Sequence, residues 1–233
     1  MYSSWDAFYH GDLQGLWGLI IVPVLFLVVR PWRRPRAAGA DPRAAGFVCA
    51  WATFFALETI ADPVAILRLG VPILPFVLLG DFRVFLLVLG VAEPDRPVAA
   101  TIARAAGWTM VVPIVAWSTY RVALAKAGQL DEQVLWLVYE VAFVALMLWW
   151  RHRRLPDRRP IALRYLRAVV AYVAVYYALW GIADVLILGG LDAGWGLRVL
   201  PNQLYYSFWV PVAWTWFFSR RYASASSPVH ARR

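Results

Sequence analysis

The chain of 233 residues is 62% hydrophobic and 16% charged, with a mean hydropathy of +0.59, which is more apolar surface than a water-soluble domain of this size can bury. Its formal charge of +9 resides in short arginine clusters beside apolar runs, a distribution that sets membrane orientation and argues against nucleic acid as a partner. Cys49 is the only cysteine, so an intrachain disulfide is excluded and a thiol chemistry has no second sulfur.

Residues 1–12 carry Asp6 and Asp12 and no basic side chain, unlike the start of a cleaved signal peptide, so the first helix is expected to remain in the mature protein. Seven apolar runs follow, at 13–29, 47–67, 71–91, 102–124, 134–150, 166–188 and 199–218. Each is long enough for a helix to cross a hydrocarbon core of ~30 Å. Basic residues cluster after the first, third, fifth and seventh runs: Arg30, Arg33, Arg34, Arg36 and Arg43; Arg96 and Arg104; Arg151, Arg153, Arg154, Arg158, Arg159, Arg164 and Arg167; and Arg220, Arg221, Arg232 and Arg233. The opposite side has only Arg68, Arg121, Lys126 and Arg198, and Arg83 alone falls inside a run. The positive-inside rule therefore predicts an outside N-terminus and a cytoplasmic C-terminus.

The expected architecture is an all-α bundle of seven transmembrane helices in one domain, 1–222, with 223–233 a disordered cytoplasmic tail. One lysine among 23 basic residues suggests a GC-rich bacterial genome, hence a bacterial inner membrane. Trp149, Trp150, Trp214, Trp216, Trp5 and Trp195 read as interfacial anchors.

An internal duplication stands out. Ala56-Leu57-Glu58-Thr59-Ile60-Ala61-Asp62 and Ala178-Leu179-Trp180-Gly181-Ile182-Ala183-Asp184 agree at five of seven positions, each in the second helix of a triplet. Leu16-Trp17 aligns with Leu135-Trp136 and Leu74-Pro75 with Leu200-Pro201 at similar offsets. This predicts two parallel three-helix repeats, 13–91 and 134–218, joined by a linker helix at 102–124.

Carboxylates inside apolar helices are costly and mark functional sites by default. The candidate substrate- or proton-binding residues are Asp62, Asp184, Glu58, Asp81, Arg83, Glu140 and Gln203. Asp62 and Asp184 are expected to face each other across the pseudo-axis, where they could bind a cation or share a proton. Glu58 lies one turn from Asp62 on the same face and is the expected ion-pair partner of Arg83, while Glu140 has no evident partner. Pro63, Pro113 and Pro211 are candidate hinges, since each frees the carbonyl four residues earlier. The stretch 191–196 reads as a Gly-rich turn, and Asn202 and Gln203 as cavity or capping residues.

This plan of three, one and three helices with the N-terminus outside resembles the PQ-loop and SWEET-type transporters. The resemblance implies a central solute path between two triple-helix bundles. The Pro-Gln pair of that family has no counterpart, since Pro23 is followed by Val24. Gly80-Asp81, Ala183-Asp184 and Gln203 with Tyr205 and Tyr206 are also similar to the lysoplasmalogenase family, which implies Asp81 and Asp184 as an acid/base pair on a lipid. That family's eighth helix, Lys-Pro element and following His have no counterpart here.

Other chemistries lack their residues. Lys126, the only lysine, lies in a predicted loop, which excludes a retinal Schiff base, and His10, His152 and His230 are too scattered for a metal centre. No catalytic residue, metal or cofactor is expected. The expected function is a multi-pass transporter or solute-binding protein with a central polar cavity for a cationic or proton-coupled small solute. A lipid hydrolase and a non-catalytic sensory or accessory protein are the alternatives. The expected partners are the bilayer, a small solute or lipid, and a second copy of the chain.

Overall fold

The computed structural model describes residues 4–30, 41–155 and 160–219. The predicted tail and Arg33, Arg34, Arg36, Arg158, Arg159, Arg220, Arg221, His230, Arg232 and Arg233 lie outside these. Every regular element among the described residues is helical. A short α1 (Trp5–Tyr9) precedes α2 (Leu13–Val29), α3 (Pro42–Leu69), α4 (Leu74–Ala92), α5 (Val98–Ala127), α6 (Gln133–Arg154) and α7 (Pro160–Leu188). The last helix, α8, runs through 193–218 in three successive segments, Ala193–Asn202, a wide π turn at Gln203–Phe208, and Trp209–Phe218. The five helices α3 to α7 are long and apolar enough to cross a membrane, and α2 is a shorter apolar helix.

Several helices exceed the predicted spans because polar residues at their ends continue the helical ladder. Asp41 accepts hydrogen bonds from the amides of Arg43 and Ala44, and Pro42 occupies the first turn, so α3 starts before its apolar run. It stops at Gly70, whose φ of 67° is the left-handed conformation that favours glycine. The predicted turn at 191–196 is instead largely the first turn of α8. A Cβ on Gly194 would lie 2.8 Å from the Ala183 carbonyl, so only glycine lets α8 start this close to α7.

Neighbours in sequence are neighbours in space. Each long helix packs on the next, and α8 returns to pack on α2. Within this ring α3 also meets α8, and α4 meets α7, so the second helix of each predicted triplet touches the third helix of the other. The first half of α5 (Val98–Thr109) packs on α4, and its second half (Val111–Ala127) packs on α6. The two halves meet at Met110, three residues before Pro113.

The seam between α2 and α8 is closed by polar contacts. Pro23 leaves the Leu19 carbonyl without its helical donor, and the Ser207 hydroxyl lies 3.1 Å from that oxygen, 3.1 Å from the Gly18 carbonyl and 2.7 Å from Gln203 Oε1. The hydroxyl has one proton for three acceptors. Gln203 in turn donates to Gln14 Oε1 at 3.1 Å.

Aromatic side chains fill much of the core. Trp150 and Trp214, predicted at the interface, are buried at 4% and 6% exposure, Trp150 against Phe85 and Trp108 and Trp214 against Phe26. Trp5 and Trp149 are exposed. Helix α4 changes character along its length. From Gly80 to Val91 it is almost wholly buried, whereas none of residues 71–79 is.

At the boundary sits Gly80, where a Cβ would lie 1.4 Å from the Tyr205 hydroxyl oxygen. Gly80→Ala must displace a ring pinned in the core and is expected to cost about 1–3 kcal/mol. Leu74→Ala, on the exposed half of α4, should stay within about 0.5 kcal/mol. Thermal unfolding of the purified protein in detergent measures both.

Candidate functional site

Two clusters, each of two carboxylates and one guanidinium, lie in the bundle. The first joins α3, α4 and α8. Arg83 is fully buried, and its Nη1 lies 3.0 Å from Thr59 Oγ1 and 3.4 Å from Glu58 Oε2. Its Nη2 donates to the Tyr205 carbonyl at 2.7 Å, and the guanidinium lies 4.3 Å from the centre of the Tyr205 ring. The acceptor carbonyl belongs to the π turn of α8. Asp62 stands one turn from Glu58 and contacts it.

The second cluster joins α6, α7 and α8. Arg198 Nε forms an ion pair with Asp184 Oδ1 at 3.3 Å, and its Nη2 lies 3.7 Å from Glu140 Oε1. The guanidinium also lies over the rings of Tyr9 and Trp195, at 5.7 Å from each. Asn202 bridges Trp180 and Tyr9, accepting from Trp180 Nε1 at 2.9 Å and donating to the Tyr9 hydroxyl at 3.1 Å. Burial pushes the Tyr9 phenol above its ordinary pKa, with Arg198 opposing the shift.

Between the clusters, Asp81 is fully buried and accepts hydrogen bonds from the hydroxyls of Tyr139 and Tyr177. Tyr177 is held by Phe143, stacked at 4.0 Å.

A cavity of about 500 Å³ opens beside the second cluster. Its α6 and α8 wall is polar, with Glu132, Gln133, Glu140, Arg198 and Asn202. Its α3 and α4 wall is apolar, with Pro63, Ile66, Leu67, Ile73 and Val77. Trp136, Trp180, Trp195, Tyr9 and Tyr206 supply aromatic surface, and Tyr139, Tyr177 and Tyr205 also line the space. The segment α1 contributes Tyr9, and His10 follows at the rim. The Asp192 carboxylate holds α1 in place by accepting from the amides of Trp5 and Asp6 at 2.9 and 3.1 Å.

These contacts revise several expectations. Asp62 and Asp184 do not pair with each other. Asp62 is engaged by Glu58 and Asp184 by Arg198, because their helix faces turn toward different neighbours. Glu140 does have partners, Arg198 and Asp184. Arg198, predicted in an outer loop, is helical and 14% exposed at its side chain, so two arginines rather than one balance the interior acids. Gln203 faces α2 and does not line the cavity. Of the three prolines, Pro63 lies in an unbroken α3 and lines the cavity. Pro113 follows the interruption at Met110, and Pro211 follows the π turn.

Arg198, Tyr139, Tyr177, Tyr9 and Asn202 complete the site. A signal for Arg198 was present: it is one of only three arginines on the side of the chain that is poor in basic residues. Comparison with protein-family models, curated proteins and solved structures finds no match to this chain.

Replacing Arg83 by Met leaves two buried carboxylates without their cation and is expected to cost about 3–5 kcal/mol. Adding Glu58→Gln and Asp62→Asn to the same chain should recover most of that loss, since a neutral cluster needs no counter-charge. Thermal unfolding of the single and triple variants makes the comparison.

Proposed function

We propose that the protein is a seven-span inner-membrane protein, N-terminus outside and C-terminus in the cytoplasm, that binds an organic cation in the cavity beside α6 and α8 as a transporter or solute-binding protein. The observation that carries this reading is Glu140. The residue is 3% exposed yet lines the cavity, and its Oε2 receives no hydrogen-bond donor among the described residues. A carboxylate in an aromatic enclosure is a recurring site for ammonium groups, which are attracted by the ring faces and by the charge together.

Charge balance supports the same ligand. When both are ionised, Glu140 and Asp184 together carry one more negative charge than Arg198 neutralises. A monovalent cation or one proton removes that excess, so the two compete. The contacts of α3 with α8 and α4 with α7 support a fold of two related triplets, and the long apolar helices support the membrane location.

The hydrolase reading would place Asp81 and Asp184 against a substrate. Neither lines the cavity: Asp81 lies behind Tyr139 and Tyr177, and Asp184 is held by Arg198. Those surroundings favour binding over acid/base catalysis.

Tetramethylammonium should raise the thermal midpoint of the purified full-length protein, and Glu140→Gln should weaken its binding about tenfold or more, through loss of a charged partner worth ~1.5–3 kcal/mol. Affinity for the wild type should fall as pH is lowered, because protons occupy the same carboxylates. Equal stabilisation of wild type and Glu140→Gln would refute the assignment. For topology, green fluorescent protein fused after Arg233 should fluoresce and alkaline phosphatase at the same point should be inactive. An active phosphatase would reverse the orientation.

A further inference from the structure

The two long seams of the bundle are not equivalent. In the first triplet α2 packs along α8, and the Ser207 hydroxyl and Gln203 seal that contact. The corresponding seam of the second triplet lies between α6 and α4. There α6 meets the C-terminal half of α4, Tyr139 at Asp81 and Phe143 and Trp150 at Phe85, and the second half of α5 stays on α6, so that among the described residues the N-terminal half of α4 has neither as a close backbone neighbour. This is the half, residues 71–79, in which no residue is buried.

The cavity lies at the same end of the molecule. Its apolar wall reaches the outer surface through Leu67 and Ile73, which are 46% and 48% exposed. Around them Leu69, Val71 and Leu74 are also exposed, so apolar surface continues from the cavity to the outside. A fully hydrated cation would shed water along such a path with nothing to replace it. A hydrocarbon chain would leave a bilayer along it and stay in apolar surroundings throughout. Glu140, Trp136 and Asn202, from α6 and α8, line the same cavity. The cavity therefore pairs a tail-compatible side with a side suited to a charged head.

We propose, building on the cation-site reading, that the ligand is a single-chain amphiphile with an ammonium head, entering sideways from the bilayer between α4 and α6. Its head sits at Glu140 among the aromatic rings. Its chain runs along Ile66, Ile73 and Val77 toward the lipid. The Tyr139 and Tyr177 hydroxyls, engaged by Asp81, set the cavity floor.

The test uses the full chain in phosphatidylcholine nanodiscs with a dodecyltrimethylammonium probe that carries a diazirine at the end of its chain. Photolabelling followed by peptide mapping should mark 66–77 of α3 and α4. Unlabelled dodecyltrimethylammonium and tetramethylammonium should both suppress that label, and dodecanoate should not. Glu140→Gln and, separately, Val77→Trp should each reduce it about tenfold or more. The first removes the charge at the head, and the second fills the chain's path.

Label on 66–77 that is unchanged in Val77→Trp, or label found only on the outward face of α5, overturns the amphiphile and its lateral route. The cation site itself survives that result if tetramethylammonium still stabilises the protein in a Glu140-dependent way. If neither cation responds to Glu140→Gln, the underlying reading fails and this inference fails with it. Mapping on the wild-type chain decides the matter even if a variant does not fold. Equal competition by dodecanoate also overturns the proposal.

Discussion

A buried guanidinium cannot be left unpaired, and the Arg83 side chain meets that demand by drawing three helices to one point. Its nitrogens reach Thr59 and Glu58 on α3 and the Tyr205 carbonyl on α8, while its own helix is α4. Isolated in low dielectric, that charge would cost many times what the folded state has to spare. Two local irregularities of the fold meet at it. The wide turn of α8 presents the Tyr205 carbonyl outside the regular ladder, and Gly80 leaves room for the Tyr205 ring between α4 and α8. The indole of Trp51 closes the arrangement by donating to the Arg83 carbonyl at 2.9 Å.

The second cluster repeats the charge composition with different parts. In the first, both acids come from one helix and face the protein interior. In the second, Glu140, Asp184 and Arg198 come from three helices and adjoin a cavity. The match between the two seven-residue segments does not account for the likeness. Asp62 and Asp184 occupy matching positions in those segments, but the arginines do not fall at matching places in the predicted repeats. The same electrostatic requirement is met twice, once at Arg83 in the interior and once at Arg198 beside the cavity.

Much of the helical layout could be read in the chain, because a run of some twenty apolar residues has few folded alternatives. The interior acids were legible for a related reason, since a carboxylate in such a run is conspicuous. Their partners were not. Which residue Asp62 or Asp184 faces depends on the rotation of each helix about its axis, and runs that are apolar on every side carry little record of that rotation. Arg198 was hidden because Gly194, Trp195 and Gly196 resemble a loop until α7 and α1 are seen against them. Trp150 and Trp214 were misplaced because position near a helix end does not distinguish a lipid-facing ring from a core ring. The wide turn of α8 has no periodic signature, although Pro211 lies just after it.

Arg198 has one further consequence, for stoichiometry. With both carboxylates beside the cavity ionised, it cancels one of them, and the remaining deficit is a single elementary charge. A divalent ion, or two ammonium groups together, would leave the enclosure positively charged in a medium that solvates charge poorly. On the proposed cation reading, the arginine sets a valence limit of one monovalent head per molecule.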